Sequence, residues 1–160
     1  MKLKKEKPRP MFIIDTREQK PFKFSDVGEV IDLTVGTLKS GDYSVAGYET
    51  QVAVERKSLE DAVMSMTWGR ERFERELQRL SEFHRAAVVI EGGMQDVLDG
   101  AFRSQAAPQS IIGSCAAFFI DYGVPFIFAN NPATAAYFTQ KLLYQYWKRQ
   151  ELPKKKKEQT

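Results

Sequence analysis

Two short apolar segments between Asp42 and Lys57 predict a β-hairpin, and this hairpin constrains the fold more than any other feature of the sequence. The polar residues 47–50 separate the two segments and can form the turn. Because side chains alternate across a strand, Glu55 and Lys57 share one face, while the valines of the second segment point to the other face. The hairpin therefore predicts a sheet with one valine-lined face and one charged face at its end.

A turn at 47–50 sets a register in which Asp42 lies opposite Glu55. Directly opposed side chains are about 5 Å apart at Cβ, and two carboxylates at that distance repel unless a positive charge lies between them. Mg²⁺ or Mn²⁺ would suit such oxygen ligands, and the Lys57 ammonium could orient water or stabilise charge on a phosphate. Alternatively, Glu-x-Lys on a solvent-facing strand forms only a weak ion pair. Both interpretations are open at this point.

The order of these residues resembles the XPF-type nuclease domain, a branch of the PD-(D/E)xK nuclease superfamily. The motif that carries the resemblance is Gly41-Asp42, a spacer, and Glu55-Arg56-Lys57 with Asp61. Matching segments elsewhere are Ile14–Glu18, Gly69-Arg70 with Phe73, Val88–Glu91 and Tyr122–Pro125. The similarity spans residues 11 to 147, and it implies an α/β fold with a mixed central sheet flanked by helices, the restriction-endonuclease-like nuclease core.

The resemblance also implies a role for each motif residue. Asp42 and Glu55 match the metal-binding carboxylates of the family, Asp15 matches an additional acidic residue at the metal, and Lys57 matches the catalytic lysine. The implied cofactor is Mg²⁺, with Mn²⁺ as a substitute. The implied activity is a metal-dependent endodeoxyribonuclease that leaves a 5′-phosphate and a 3′-hydroxyl, acts in DNA repair or recombination, and cuts at branches, flaps or single-strand junctions.

Arg56 and Asp61 match the remaining catalytic positions, but each has a second interpretation. Strict alternation turns Arg56 toward the valine face, so we expect it to brace the site or to reach a phosphate around the strand end. Asp61 follows Ser58 by three residues, a spacing typical of a capping box at the start of a helix. Asp61 is thus predicted to cap a helix, to support the site, or both.

Basic residues cluster at both ends of the chain and around residues 70–79, although the formal net charge is only +3. Charged termini are commonly just solvated tails, yet positive charge beside an acidic site would also attract a polyanion. We predict that Arg17, Arg70 and Arg72 contact DNA. The resulting organisation is a basic tail at 1–10, the nuclease domain at 11–149 and a lysine-rich tail at 150–160.

Composition narrows the class of protein further. A chain of 160 residues is the size of one domain, and no run of eighteen apolar residues or signal peptide is visible, so we expect an intracellular protein with no membrane association. The single cysteine, Cys115, lies in an apolar stretch and is expected to be a core residue, and the single histidine, His84, is expected at the surface. Neither glycine-rich phosphate-binding motif occurs, which disfavours a nucleotide-binding enzyme.

Apolar periodicity predicts the remaining elements. Strands are expected at 11–14, 30–35, 87–90 and 125–128, and helices at 58–66, 70–83, 108–121 and 132–149. Helix 70–83 should bury Phe73, Leu77 and Leu80, with ion pairs Glu71–Arg75 and Arg72–Glu76 outside. The alternation after residue 84 indicates parallel strands beside the hairpin, and residues 94–109 are expected to form a long loop.

The last two predicted helices are rich in apolar and aromatic residues. The helix at 108–121 should be fully buried or part of a subunit interface, and the resemblance implies a homodimer. Compared with larger relatives, we expect no helix-hairpin-helix module and no helicase segment. The dimer, the tails or a partner protein would then supply junction recognition, and a catalytically silent DNA-binding or scaffolding subunit remains the alternative function.

Overall fold

The computed structural model of the protein describes residues 6–24 and 29–152. Most of the two predicted basic tails therefore lies outside the described residues. The elements are β1 (Met11–Asp15), β2 (Asp32–Gly36), β3 (Tyr43–Val45), β4 (Val52–Lys57), α1 (Leu59–Met66), α2 (Arg70–Ser81), β5 (Arg85–Ile90), α3 (Met94–Leu98), α4 (Pro108–Tyr122), β6 (Phe126–Phe128) and α5 (Pro132–Glu151). Every predicted strand and helix is present, with ends that differ by a few residues.

The strands form one six-stranded mixed sheet in the order β2-β1-β3-β4-β5-β6. Strand β3 is antiparallel to both β1 and β4, whereas the pairs β1–β2, β4–β5 and β5–β6 are parallel. The prediction of an antiparallel hairpin extended by parallel strands is confirmed. Strand β4 is antiparallel to β3 and parallel to β5, so it joins the hairpin to the parallel strands that follow it in the chain.

The predicted hairpin register is also confirmed. Tyr43 pairs with Val54, which places Asp42 opposite Glu55. Asp42 lies one residue before β3, and its N–H donates to the carbonyl of Val54 at 2.8 Å. The turn chemistry and the alternation of apolar residues were sufficient to fix this register, since a slip of one residue would exchange the two faces of β4.

Each face of the sheet is covered by its own apolar cluster. On one face, Val52 and Val54 pack with residues of α5 such as Leu143 and Trp147. On the other face, Ala53 packs with residues of α1, α2 and α4, including Val63, Leu77 and Phe118. The alternation along β4 thus separates an α5 side from an α1/α2/α4 side, and Glu55 and Lys57 belong to the second.

The helices begin and end at residues suited to those positions. The Ser58 hydroxyl accepts a hydrogen bond from the Asp61 N–H at 3.1 Å, and the Asn131 side chain accepts one from Thr134. Helix α4 ends at Gly123, whose φ of 70° lies in the left-handed region that favours glycine. No helix in residues 6–24 and 29–152 is long and apolar enough to cross a membrane.

The predicted long loop at 94–109 is wrong in its first part. Residues Met94–Leu98 form α3, in which Val97 is buried. The Asp96 carboxylate accepts a hydrogen bond from the Gly93 N–H at 2.7 Å and so stabilises the first turn. A glycine N-cap and a length of five residues give too weak a periodic signal to be recognised in the sequence.

Helix α4 is not fully buried within one chain. Ile111, Cys115 and Phe118 face the core, and the burial predicted for Cys115 is confirmed. Phe119 and Ile120, however, are 50% and 79% exposed. Of the two predictions for this helix, full burial is therefore wrong, and the interface interpretation stays open.

Candidate active site

An open cavity of about 870 Å³ lies where β4 ends. Its walls come from the loop after β1, the loop before β3, the end of β4, and helices α1 and α2. The predicted site residues that line it are Arg17, Asp42, Glu55, Arg56, Lys57, Asp61 and Arg72. Asp15 and Arg70, which were also predicted, are not among the lining residues of the described chain.

Gly41 allows Asp42 to reach the end of β4. Its φ is 81°, and a Cβ at this position would lie 2.9 Å from the Ala53 Cβ, too close for any other residue. The next residue, Asp42, then accepts a hydrogen bond at one carboxylate oxygen from the Arg56 N–H at 2.8 Å. The Asp42 side chain is thus held against β4 by the backbone of the strand that carries its partner carboxylate.

Glu55 and Lys57 project together from the same face of β4. The Lys57 Nζ lies 3.5 Å from Glu55 Oε1, and both side chains are only 12% exposed. The same Nζ lies 4.8 Å from the ring centroid of Phe73 on α2, which covers the lysine stem. The alternative interpretation of a solvent-facing ion pair is therefore wrong, because this pair is held at the bottom of a cavity.

Burial and mutual repulsion disfavour the charged forms of the two opposed carboxylates. The pKa of Asp42 is raised from 3.8 to about 6, chiefly by burial and further by the charges of Glu18 and Glu76. The pKa of Glu55 is raised well above its usual value by burial first and by the charge of Asp42 second. Lys57 opposes both shifts, but one ammonium does not offset this much negative charge.

Glu76 is a site residue that the sequence analysis missed. It was assigned to an outer ion pair with Arg72, yet it lines the cavity, and its carboxyl raises the pKa of Glu55. The α2 ion pairs that form in the described chain are Arg70–Glu74 and Glu71–Arg75. The available signal was position, since Glu76 directly precedes the buried Leu77 and follows the buried Phe73 by three residues.

Arg56 braces the opposite side of the strand. Its Nε donates to Glu91 Oε1 at 2.5 Å, and its guanidinium lies 4.2 Å from the ring centroid of Phe22. Glu18 lies 3.6 Å from the same guanidinium, and the Lys20 carbonyl accepts a further hydrogen bond. These contacts support the first of its two predicted roles, which is to brace the site.

Both carboxylate oxygens of Asp15 already accept hydrogen bonds from neighbouring residues. Its Oδ1 accepts hydrogen bonds from the N–H and Nε of Arg17, and its Oδ2 accepts from Arg17 Nη2 and from the Leu38 N–H. Burial raises the pKa of this carboxyl, but the bonds from Arg17 and Leu38 lower it overall. Asp15 therefore positions Arg17 at the cavity, and its role as a metal ligand stays a prediction that this geometry does not favour.

Asp61 lies at the cavity with its side chain exposed. The cap hydrogen bond that the structure shows joins its backbone N–H to the Ser58 hydroxyl, so it does not need the Asp61 carboxylate. The predicted cap of this helix is therefore confirmed for the hydrogen bond that the Ser58 hydroxyl accepts. The Asp61 side chain is left facing the cavity, where a supporting role stays a prediction.

The predicted DNA-contacting arginines are in two different environments. Arg70 packs against α4, where its Nη1 donates to Ser114 Oγ at 2.8 Å and its guanidinium covers the Phe118 ring. Arg72 lines the cavity, together with Arg79 and Lys39. Among the described residues these last three form no ion pair, so their charges are available to an anionic ligand.

Two of the three predicted metal ligands, Asp42 and Glu55, are suited to binding a divalent cation. Among residues 6–24 and 29–152, no group of three or more histidine, cysteine, aspartate or glutamate residues is close enough to hold a metal ion. The donors of Asp42 and Glu55 are nevertheless hard oxygens whose negative charge is incompletely balanced, which fits Mg²⁺ or Mn²⁺. The pair fits such an ion, whereas the predicted set with Asp15 is not assembled.

A mixed sheet whose antiparallel hairpin carries these carboxylates and lysine is a restriction-endonuclease-like α/β fold. Comparison with known families agrees: the ERCC4 domain model matches residues 14–142. The chain belongs to the ERCC4 domain family. The resemblance to the XPF-type nuclease domain is thereby confirmed.

Solved structures show the same fold. XPF from Aeropyrum pernix superposes with a TM-score of 0.66 at 22% identity, covering 94% of this chain and 69% of that chain. XPF from Aeropyrum pernix in complex with DNA gives 0.64 at 23% identity, covering 91% and 68%. A comparison with curated proteins gave no match.

Proposed function

We propose that the protein is a divalent-metal-dependent endodeoxyribonuclease that acts at branched, flap or single-strand junctions of DNA. The observation that carries this proposal is the buried pair of Asp42 and Glu55, opposed across one hairpin with Lys57 beside them and with raised pKa values. If these two positions served folding alone, a pair of apolar residues would give a more stable protein than two buried carboxylates. A buried excess of carboxylates is instead typical of sites that bind cations.

The residues would divide the chemistry among them. Asp42 and Glu55 would hold the ion, which when bound activates water and neutralises charge on the phosphate. Lys57, fixed between Glu55 and the Phe73 ring, would position the attacking water and stabilise developing negative charge. Arg56 would keep the end of β4 in place through Glu91.

DNA as the substrate is supported by charge and by the relatives. Arg72, Arg79 and Lys39 place unpaired positive charge at the cavity, where phosphates would otherwise be repelled by the carboxylates. The archaeal XPF that shares the fold has been solved in complex with DNA. Junction recognition would come from a dimer, from the tails or from a partner protein.

The alternative is a catalytically silent DNA-binding or scaffolding subunit. The observation that favours it is the lack of a three-residue metal-binding group among the described residues. Against it stand the retained carboxylates and lysine of the motif. An inactive subunit would have no need to keep two repelling carboxylates buried.

The deciding experiment combines the wild type with two isosteric variants. The protein is incubated with Mg²⁺ or Mn²⁺ and end-labelled flaps, forks, gapped duplexes and single strands, with and without chelator. We expect chelator-sensitive cleavage that Asp42→Asn and Glu55→Gln abolish while DNA binding persists. Glu49→Gln removes an exposed carboxylate from the turn of the same hairpin and serves as the matched control. DNA binding without cleavage would establish the silent subunit.

A further inference from the structure

Trp68 is exposed to an extent that the fold does not require. It is 88% accessible, whereas Trp147, the other tryptophan of the chain, is 6% accessible in the core. A tryptophan is the largest apolar side chain, and leaving it in water forgoes the free energy of its burial. An exposed large aromatic therefore indicates a surface that a ligand covers.

The corner that carries Trp68 is held firmly between α1 and α2. The Met64 carbonyl accepts hydrogen bonds from the N–H groups of Thr67 and Gly69, and the Thr67 hydroxyl donates to the Val63 carbonyl at 2.8 Å. A Cβ on Gly69 would lie 3.3 Å from the Met64 oxygen, so the glycine permits this close turn. The backbone at Trp68 is thus fixed before a ligand binds. Binding there does not require a loop to become ordered, which would cost free energy.

The corner adjoins the candidate active site. Met64, Ser65 and Gly69, which flank Trp68 in the sequence, all line the cavity. Met64 is itself 50% exposed, and Trp68 directly precedes the cavity-lining Gly69. The corner where α1 passes into α2 therefore carries an apolar patch, the exposed side chains of Met64 and Trp68, and adjoins the cavity.

The charges beside this patch indicate what would cover it. Arg72, on the first turn of α2, and Arg79, two turns further on, line the same cavity without ion-pair partners in the described part of the chain. Arg72 follows Gly69 by less than one helical turn, so a phosphate that it binds lies beside the corner. Aromatic side chains stack on bases of any sequence, but only on bases released from their neighbours.

We propose that the Trp68 side chain stacks on an unpaired base of the DNA strand that enters the cavity, and so selects DNA with a single-stranded nucleotide beside the bond to be cut. This inference rests on the proposed function and specifies its substrate class. Trp68 is a specificity residue in this scheme. Fully paired duplex offers it no free base face.

The direct test uses the fluorescence of Trp68 itself, because Trp147 is buried and serves as a constant background. The Asp42→Asn protein, chosen to prevent cleavage, is titrated with a short single-stranded oligodeoxynucleotide, with an abasic strand of equal length and with a blunt duplex. We expect quenching by the single strand alone. In the double variant Asp42→Asn with Trp68→Phe, the quenching should disappear. Unchanged emission at saturating single strand, or equal quenching by the abasic strand, would overturn the proposal.

A second measurement compares affinities and cleavage. Trp68→Ala should weaken binding of the single strand about tenfold, which corresponds to 1.4 kcal/mol, and leave binding of blunt duplex unchanged. Trp68→Tyr should restore most of the affinity, because it retains an aromatic face. Val35→Ala removes an apolar side chain that is 65% exposed on the edge strand β2, away from the cavity, and should change neither. A loss of affinity that Tyr does not restore, or that is equal for blunt duplex, would contradict stacking.

The two proposals fail in different ways. Cleavage by the wild type without quenching of Trp68 would leave the nuclease in place and refute the stacking. Quenching by single strands without cleavage would support the stacking on a silent DNA-binding subunit. If no DNA probe changes the fluorescence of Trp68, the proposal is wrong, and the exposed side chain would instead be expected to contact a protein partner.

Discussion

Single residues in this site work against the stability of the fold. Asp42, partly buried, and Glu55, almost fully buried, lie opposite each other with raised pKa values, and the charge of Glu76 raises both pKa values further. In a metal-free protein their charges destabilise the native state relative to the unfolded chain, where water separates them. The chain retains them at a cost to folding, as expected for groups with a functional role.

The first prediction concerns the pH dependence of metal-free stability. Because the pKa of Asp42 rises from 3.8 to about 6 on folding, the unfolded chain loses this proton first and stability falls as pH rises through that window. Asp42→Asn should reduce this slope, with Glu55 contributing the remainder, and stabilise the protein at pH 7 by on the order of 2 kcal/mol, or about 4–8 °C in melting temperature. Thermal unfolding in chelator from pH 4 to pH 7 measures both. Identical slopes for the two proteins would disprove the buried repulsion.

The second prediction separates Lys57 from its structural contacts. Lys57→Ala should lower kcat by on the order of 100-fold or more, since the ammonium acts mainly on charge in the transition state. Its melting temperature in chelator should fall modestly, because the ammonium offsets the charges of Asp42 and Glu55 and packs on the Phe73 ring. Steady-state cleavage and thermal unfolding are compared side by side. A large fall in stability with unchanged kcat would assign Lys57 to folding alone.

At the scale of elements, α1 connects β4, which carries Glu55 and Lys57, to α2, which carries Glu76 and Arg72. It begins directly after Lys57, and its first turn is held by Ser58. The third prediction is that Ser58→Ala lowers stability by about 1 kcal/mol, whereas Asp61→Ala changes it by less, because the cap bond uses the Asp61 backbone. Urea unfolding measures both. An equal loss for the two variants would show that the Asp61 carboxylate also caps the helix.

The Asp61→Ala variant has a second use in the same experiment. Loss of cleavage at nearly unchanged stability would assign Asp61 to the site, and retained cleavage would leave it as a surface residue of α1. Gln95→Ala, at an exposed position of α3, provides the control for a substitution outside the cavity.

Sequence reasoning predicted the elements that have strong periodicity and missed the contacts between elements. The hairpin register followed from alternation, and the start of α5 followed from Pro132, whereas the cap by Asn131 was seen only in the structure. The role of Glu76 did not, because its partner Glu55 lies 21 positions earlier on another element and only packing brings them together. Likewise, Asp15 was predicted to be a further metal ligand, because the sequence does not show the four hydrogen bonds that its carboxylate accepts from Arg17 and Leu38.

At the scale of the whole molecule, α4 leaves an apolar surface uncovered. Phe119 and Ile120 of this helix are exposed, whereas Tyr146 and Trp147 of α5, on the other side of the sheet, belong to the core. The uncovered surface is thus smaller than the sequence suggested. It is still consistent with the proposed homodimer, whose two-fold interface would bury the same residues from both copies.

The fourth prediction tests this interface. Ile120→Glu should convert a dimer to a monomer, because it would place two unpaired carboxylates in an apolar contact. Light scattering at micromolar concentration reads the mass directly. Val35→Glu on the edge strand β2, where the side chain is 65% exposed, provides the control. A wild type that is monomeric and fully active would show that this surface has another purpose.

The position of β4 between the antiparallel and parallel halves of the sheet has a consequence for hydrogen exchange. Its amides are flanked by β3 and β5 and lie three strands from one edge and two from the other. Edge strands open in local fluctuations, whereas central amides exchange only when the whole domain unfolds. Residues 53–57 should therefore be among the last to take up deuterium, and the carboxylates would keep their spacing while β2 and β6 fray. Early labelling of β4 in native-state exchange would show instead that the site itself opens.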